Sequence, residues 1–243
     1  MFSQHSHQTK PLIAAIIPTY NEEINVAGVL EVLHATPLLD EIILVDDGSS
    51  DGTVEILRQA ALADPRYRVI RHEKNSGKGQ AIFTGWAATC ASILLLLDAD
   101  LKNLTPVHLQ ALLDPIINHK ADMTLGLFRG GHISTTLSHR LTPFLTGQRG
   151  LRSELLKYVS REASAGYGFE VALTMAARRK GFRKRVVPLD GVWHPSSESR
   201  SERGFWSGAI WKARMYAEII HAWWLVVRER YPNAKSFFSN SDW

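Results

Sequence analysis

The chain has 243 residues, 45% of them hydrophobic, with ten histidines, one cysteine and a formal net charge of +4. That supplies a full core for one main domain, while the lone Cys90 excludes disulfide stapling and a cysteine-based zinc site within the chain. The basic excess suits an anionic substrate, an anionic membrane surface or nucleic acid without choosing among them. No apolar run of membrane-spanning length follows the polar start, so neither a signal peptide nor a span is expected.

Residues 1–10 read as a flexible tail. Strands are predicted at 12–17, 41–45, 66–71 and 92–97, each a short apolar or β-branched run bounded by turn formers. Helical spacing of apolar residues falls between them, at 22–34, 51–63 and 77–90. Such alternation predicts an α/β fold, a mostly parallel sheet flanked by helices, whose ligands bind at the carboxyl ends of the strands. A helix at 105–119 and a strand at 123–128 extend the pattern. The segment 129–136 reads as a flexible linker or lid, and further helices are expected at 152–159 and 169–179, with a strand at 185–189. A long helix at about 205–228 carries Trp206, Trp211, Trp223 and Trp224. Packing in the core or in a homodimer is favoured for it over contact with a membrane surface, because charge recurs around its circumference. The basic run from Arg178 to Arg185 reads as a helix end and solvated turn, not a nucleic-acid patch.

The richest junction is Leu94-Leu95-Leu96-Leu97-Asp98-Ala99-Asp100. A buried strand running into two carboxylates places oxygen ligands at the mouth of a sheet, where a divalent cation and a diphosphate can meet. The first strand exits through Pro18-Thr19-Tyr20-Asn21-Glu22, with proline expected to stop ladder pairing. The second delivers Asp46-Asp47-Gly48-Ser49, and the third is followed by Asn75-Ser76-Gly77-Lys78-Gly79, which lacks the spacing of a nucleotide-triphosphate loop. Each motif alone is ordinary loop chemistry; their order and placement are not.

In that order the four motifs resemble a GT-A fold glycosyltransferase of family 2. The resemblance implies a nucleotide-diphosphate-sugar donor, a UDP- or GDP-sugar, and a divalent cation, Mg²⁺ or Mn²⁺. It assigns Pro18, Thr19, Tyr20, Glu22, Asp47, Lys78, Asp98 and Ala99 to the donor and Asp98 and Asp100 to the metal. It divides the chain into a nucleotide-sugar half (11–128), an acceptor half (129–200) and a C-terminal helical extension (201–243). Lys102 stands where the dolichyl-phosphate-mannose-synthase-like branch carries glutamine, which weakens the lipid-phosphate analogy. The second half is similar to glucosylglycerate and mannosylglycerate phosphate synthases in Thr146-Gly147-Gln148-Arg149-Gly150, expected before a helix, and in Gly166-Tyr167-Gly168-Phe169-Glu170. There His194 takes the position of a third metal ligand. Two carboxylates and an imidazole would leave metal positions for diphosphate oxygens.

Gly147, Gln148 and Arg149 are the candidates for the acceptor or a phosphate, since guanidinium matches phosphate geometry. Glu170, at a helix start, is expected to position or deprotonate the acceptor, and Asp100 to act through the metal. The acceptor stays open among a small phosphorylated acid, a lipid phosphate and a glycan. Two other readings stand beside this one: a sugar-phosphate nucleotidyltransferase, which expects a glycine-rich, arginine-containing first loop that Pro18-Thr19-Tyr20-Asn21 does not match, and a non-catalytic nucleotide-sugar-binding protein. Cysteine usage points to the cytoplasm, free or peripheral at the inner membrane face.

Overall fold

The computed structural model describes residues 11–130, 146–164 and 168–195. The expected tail, most of the linker or lid, and the C-terminal helix lie outside the described residues. Strands β1 (Ile13–Thr19), β2 (Glu41–Asp46), β3 (Tyr67–Arg71) and β4 (Ile93–Leu96) alternate with helices α1 (Val26–His34), α2 (Thr53–Ala63) and α3 (Lys78–Ala87). Then come α4 (Pro106–Ile117), β5 (Met123–Arg129), β6 (Arg149–Arg152), 3₁₀ turns at Ser153–Tyr158 and Glu162–Ser164, α5 (Gly168–Arg179) and β7 (Lys184–Asp190).

The strands form one sheet in the order β3-β2-β1-β4-β6-β5-β7. Both faces are covered. Ile13, Ala15, Ile17, Leu95 and Leu97 pack with α1, α2 and α4, while Ala14, Ile16, Leu94 and Leu96 pack with α3 and α5. This explains the unbroken leucine run: a strand buried on both faces has no side on which a polar residue is favoured.

Pro18 does not end pairing as expected. It remains in β1, in register with Val45 of β2, and Thr19 stands opposite Asp46. Ile16 O accepts from Leu97 N and Thr19 O from Asp47 N, so Pro18 turns its missing donor toward β4, where that ladder has already finished. Proline closes one side only.

The helix expected at 152–159 is a 3₁₀ turn over Ser153–Tyr158, the first residue of that range, Arg152, being the last of β6. The spacing of Leu151, Leu155, Leu156 and Val159 looks helical, and all four are buried. Yet residues 149–152 are captured by two strands. β6 runs antiparallel to β4 and β5, with Leu96 opposite Arg149 and Met123 opposite Leu151. Gly150 makes the insertion sterically feasible: a Cβ there would come within 2.8 Å of both Leu112 O and Thr124 Oγ1.

Away from the strand ends, Asp64 and Arg66 fasten α1, α2 and β3 together. Arg66 donates to Asp64 Oδ2 at 2.7 Å, to His34 O at 2.7 Å and to Thr36 O at 2.9 Å. The guanidinium bonds hold the Asp64 carboxyl far below its ordinary range, against the opposing effect of burial. A carboxylate more acidic in the folded than in the unfolded chain stabilises fully above about pH 4 and loses that contribution as pH falls through the folded value. Asp64→Asn is therefore expected to cost about 1–3 kcal/mol at neutral pH. Its deficit in thermal midpoint relative to the natural protein should shrink as pH is lowered from about 6 to about 3; a deficit independent of pH would assign the loss to packing.

Candidate functional site

The carboxyl ends of β1, β2 and β4, the start of antiparallel β6 and the segment after β7 all reach the same edge of the sheet. The first two strand-end loops interlock there. Asn21 N donates to Ser49 Oγ at 3.0 Å, Ser50 N to Asn21 Oδ1 at 2.9 Å and Glu22 N to Thr53 Oγ1 at 2.8 Å. Asn21 has φ 53°, a conformation that asparagine tolerates better than most residues. Thr19 and Glu22 are buried; Thr19 Oγ1 donates to Ile17 O and Glu22 Oε2 accepts from Asn25, while Tyr20 stands exposed at the rim.

Asp47 organises the third loop. Its Oδ1 accepts from Ser76 N at 2.9 Å and lies 2.7 Å from His72 Nδ1, and its Oδ2 accepts from Gly77 N at 2.7 Å. His72 Nε2 in turn lies 2.9 Å from Thr84 Oγ1 on α3. His72 carried no sequence signal, since its role depends on a carboxylate 25 residues away. The consequence is a fixed entry into α3, whose first residue is Lys78.

Lys78 is the hub. Its ammonium lies 2.6 Å from Asp98 Oδ1 and 2.7 Å from Glu170 Oε1, joining the end of β4 to the first turn of α5. Burial alone would make Lys78 easier to deprotonate, but the two carboxylates outweigh it and raise its pKa. Asp98 feels the converse: burial opposes its charge, yet Lys78 and then His194 bring its pKa to about 2. Asp98 Oδ2 also accepts from Gln148 Nε2 at 2.8 Å. Gly147 backs onto this pair so closely that a Cβ would sit 2.5 Å from Lys78 Nζ and 2.6 Å from Asp98 Oδ2.

Asp98, Asp100 and His194 each offer a ligand atom, all within 4.8 Å of one another. His194 Nδ1 lies 2.9 Å from Asp100 Oδ1 and its Nε2 lies 3.8 Å from Asp98 Oδ2. Burial disfavours the imidazolium, but the bond to Asp100 and the charge of Asp98 prevail and raise its pKa. The ring is further held edge-on to Phe128, with centroids 5.0 Å apart. Its placement comes from the backbone: Lys102 and Trp193 form an antiparallel bridge, with Lys102 N donating to Trp193 O at 2.9 Å, and Asn103 Nδ2 donates to Gly191 O. Lys102 thus anchors the third ligand's segment through its main chain, a role its side chain could not reveal. Two carboxylates and one imidazole so disposed fit Mg²⁺ or Mn²⁺, hard cations that accept oxygen and nitrogen donors and keep further positions for a ligand's oxygens.

Arg149 is not where a phosphate contact requires. It is wholly buried, and its guanidinium donates to Thr146 O, Thr174 Oγ1 and Glu170 O. Glu170 is itself nearly closed to solvent, reached through Lys78. Ala99, between the two aspartates, is also buried.

This edge, with interlocked loops, an Asp-x-Asp and a histidine returning after the last strand, defines a GT-A nucleotide-sugar transferase architecture. The family model for glycosyl transferase family 2 matches residues 14–185, and the chain belongs to that family. Among its relatives, the polyprenol monophosphomannose synthase of Mycolicibacterium smegmatis is 34% identical over 201 residues, covering 72% of this chain and 75% of that one. The undecaprenyl-phosphate mannosyltransferase of Micrococcus luteus is 29% identical over 223 residues, covering 82% and 90%. Among solved structures, glucosyl-3-phosphoglycerate synthase from Mycobacterium tuberculosis bound to phosphoglyceric acid aligns with a TM-score of 0.68 at 25% identity, covering 87% of this chain and 80% of that one. The same enzyme has been solved with Mn²⁺ and UDP-glucose.

Gly147→Ala is expected to lower the thermal midpoint and to reduce turnover at least ~10-fold, since the added methyl would come within 2.6 Å of both Lys78 Nζ and Asp98 Oδ2 and displace the pair. Paired melting and turnover measurements check this; full activity would show that the Lys78–Asp98 geometry is not needed.

Proposed function

We propose that the protein transfers a sugar from a nucleotide-diphosphate sugar, UDP- or GDP-linked, to a phosphate-bearing acceptor, with a divalent cation held by Asp98, Asp100 and His194. The observation that carries this reading is the convergence of those three ligands with Lys78 and Glu170 at one sheet edge. Support for the acceptor class comes from the relatives, whose names specify polyprenol or undecaprenyl phosphate, and from the similar fold that has been solved with phosphoglyceric acid. Because the acceptors implied by the two mannosyltransferase names are lipids, peripheral attachment at the inner membrane face belongs to the same proposal. Among the described residues no helix is long and apolar enough to cross a membrane.

Bound there, the cation supplies Lewis-acid neutralisation of charge on the departing nucleoside diphosphate. The chain's own residues do the rest. Asp47, with His72, keeps the loop before Lys78 in one conformation, so that a base or ribose meets a preformed wall with Thr19, Tyr20 and Glu22 nearby. Lys78 exchanges its contact with Asp98 for diphosphate oxygens when the donor enters, preserving charge balance at both places. Gln148 and Gly147 hold Asp98 in orientation behind it. Glu170 faces the acceptor, orienting a hydroxyl and taking its proton if configuration inverts, or orienting alone if configuration is retained.

These roles separate the two acceptor chemistries. A hydroxyl must lose a proton to attack, whereas a phosphate oxygen is already ionised at neutral pH. Glu170→Gln is expected to lower transfer to a phosphoglycerate hydroxyl at least ~100-fold, and transfer to polyprenyl phosphate by no more than ~10-fold. Equal losses with both acceptors would remove the proton-accepting role.

The whole proposal is tested by melting the protein with UDP- and GDP-sugars, with and without Mn²⁺, alongside assays for released nucleoside diphosphate. Metal-dependent stabilisation of several degrees is expected at donor concentrations of about 100 times the dissociation constant. Asp100→Ala should abolish the metal dependence while keeping the fold, and His194→Ala should shift the manganese requirement upward. No stabilisation by any donor would overturn the assignment; tight binding without turnover on either acceptor would leave a nucleotide-sugar-binding protein.

A further inference from the structure

Arg149 sits in the core between the sheet and α5, where a cation is out of place. Its side chain runs from the first residue of β6 past Met123, with Sδ 3.8 Å from one guanidinium nitrogen, into the cluster formed by Leu94, Leu96, Leu151, Phe169 and Leu173. Burial lowers its pKa to about 10 despite the charge of Glu170, so it still carries its proton at neutral pH. Methionine or leucine would fill similar space without desolvating a charge, and replacing buried ions by apolar groups often leaves stability unchanged or improved. Stability by itself therefore does not explain an arginine here.

Its hydrogen bonds to oxygen atoms among the described residues do. Nε donates to Thr146 O at 2.8 Å, closing the turn that contains Gly147 and Gln148. One terminal nitrogen donates to Thr174 Oγ1 at 2.9 Å and the other to Glu170 O at 3.3 Å, while Thr174 Oγ1 donates to Glu170 O at 2.8 Å. On one side of the guanidinium stands the turn whose Gln148 bonds Asp98; on the other stands the first turn of α5, whose Glu170 bonds Lys78. The planar fork reaches both at fixed angles, which an ammonium cannot do.

We propose that Arg149 is a positioning residue that sets the spacing between the metal-side carboxylate Asp98 and the acceptor-side carboxylate Glu170 by tying the Thr146–Gln148 turn to the start of α5. It touches no substrate. The two carboxylates are bridged on the solvent side by Lys78, which must let go when a diphosphate arrives; Arg149 is the second tie, from behind, and it stays. The site thereby keeps its width through the exchange of Lys78 partners.

The test has one arm independent of turnover and one that rests on the proposed transfer reaction. In ¹⁵N spectra the Gln148 side-chain amide, assigned by its disappearance in Gln148→Ala, reports the bond to Asp98. In Arg149→Met it is expected to move to the position of solvent-exposed glutamines, with partial return in Arg149→Lys. Leu173→Ala, a cavity on the same helix, should leave it unmoved at a comparable loss of thermal midpoint. In the second arm, Arg149→Met is expected to lower kcat by ~10- to 100-fold with donor KM within ~3-fold, since the ligands themselves remain.

An unmoved Gln148 signal in folded Arg149→Met, or an equal movement in Leu173→Ala, would overturn the proposal whatever the natural protein's activity. An inactive natural protein would instead count against the transfer reaction alone. Should Arg149→Met not fold, Thr174→Val removes one of the guanidinium's acceptors at nearly constant volume. A smaller displacement of the same Gln148 signal is then expected, and no displacement would overturn the proposal.

Discussion

The ammonium of Lys78, placed between Asp98 and Glu170, is the interaction on which the arrangement of this edge rests. Two carboxylates from elements 72 residues apart would repel one another in a pocket this poorly hydrated; one shared cation makes their proximity favourable. That cation must itself arrive in a defined place. Asp47 secures the loop ahead of it through two backbone amides and His72, and α3 then begins at Lys78 itself. The chain thus uses one carboxylate to position the lysine and two more to hold it. Because an ion of like sign could take the ammonium's place at Asp98, the same geometry is compatible with the proposed binding of cation and diphosphate.

Steric allowances at two glycines make the contacts feasible. Gly147 lets the turn before β6 lie against Lys78 and Asp98, and Gly150 lets β6 slide under α4 between β4 and β5. The antiparallel β6 is therefore more than an irregularity in an otherwise parallel sheet among the described residues. It reverses direction so that its beginning, not its end, meets the ligand edge, and it brings Gln148 and Arg149 in from a part of the chain that a parallel strand would have sent elsewhere.

Much of this was legible in the sequence. The strands β1 to β5 and the helices between them follow from apolar runs buried on both faces and from helical spacing, and the Asp-x-Asp lies where a strand end requires it. His194 was picked out through resemblance and its place just past the last strand before Pro195, while the carboxylates it meets lie more than ninety positions away. What escaped reading is tertiary in origin. The strand at 149–152, too short to show a period of its own, forms because β4 and β5 receive it, and it leaves only a 3₁₀ turn at Ser153–Tyr158 where a helix was expected. Pro18 looked like a terminator because sequence does not tell which neighbouring ladder has already ended. Arg149 read as a phosphate contact because guanidinium matches phosphate geometry, whereas its burial is set by residues of α5 more than twenty positions away.

The bridge between Lys102 and Trp193 bears on how the candidate metal site comes into being. Asp98 and Asp100 follow a central strand, but His194 follows β7, which among the described residues lies at the margin of the sheet and pairs with β5. The ligand set spans 94 residues between Asp100 and His194, so it cannot form locally and early as a compact binding loop does. It is completed only when the outermost strand has docked and the bridge has closed. If this set holds the proposed cation, the cation would bind the finished sheet and not its precursors, and its binding energy would add to the docking of β7. On the proposed reading, metal supply and the integrity of the sheet's far margin are linked quantities, with the cation acting as a latch on β7.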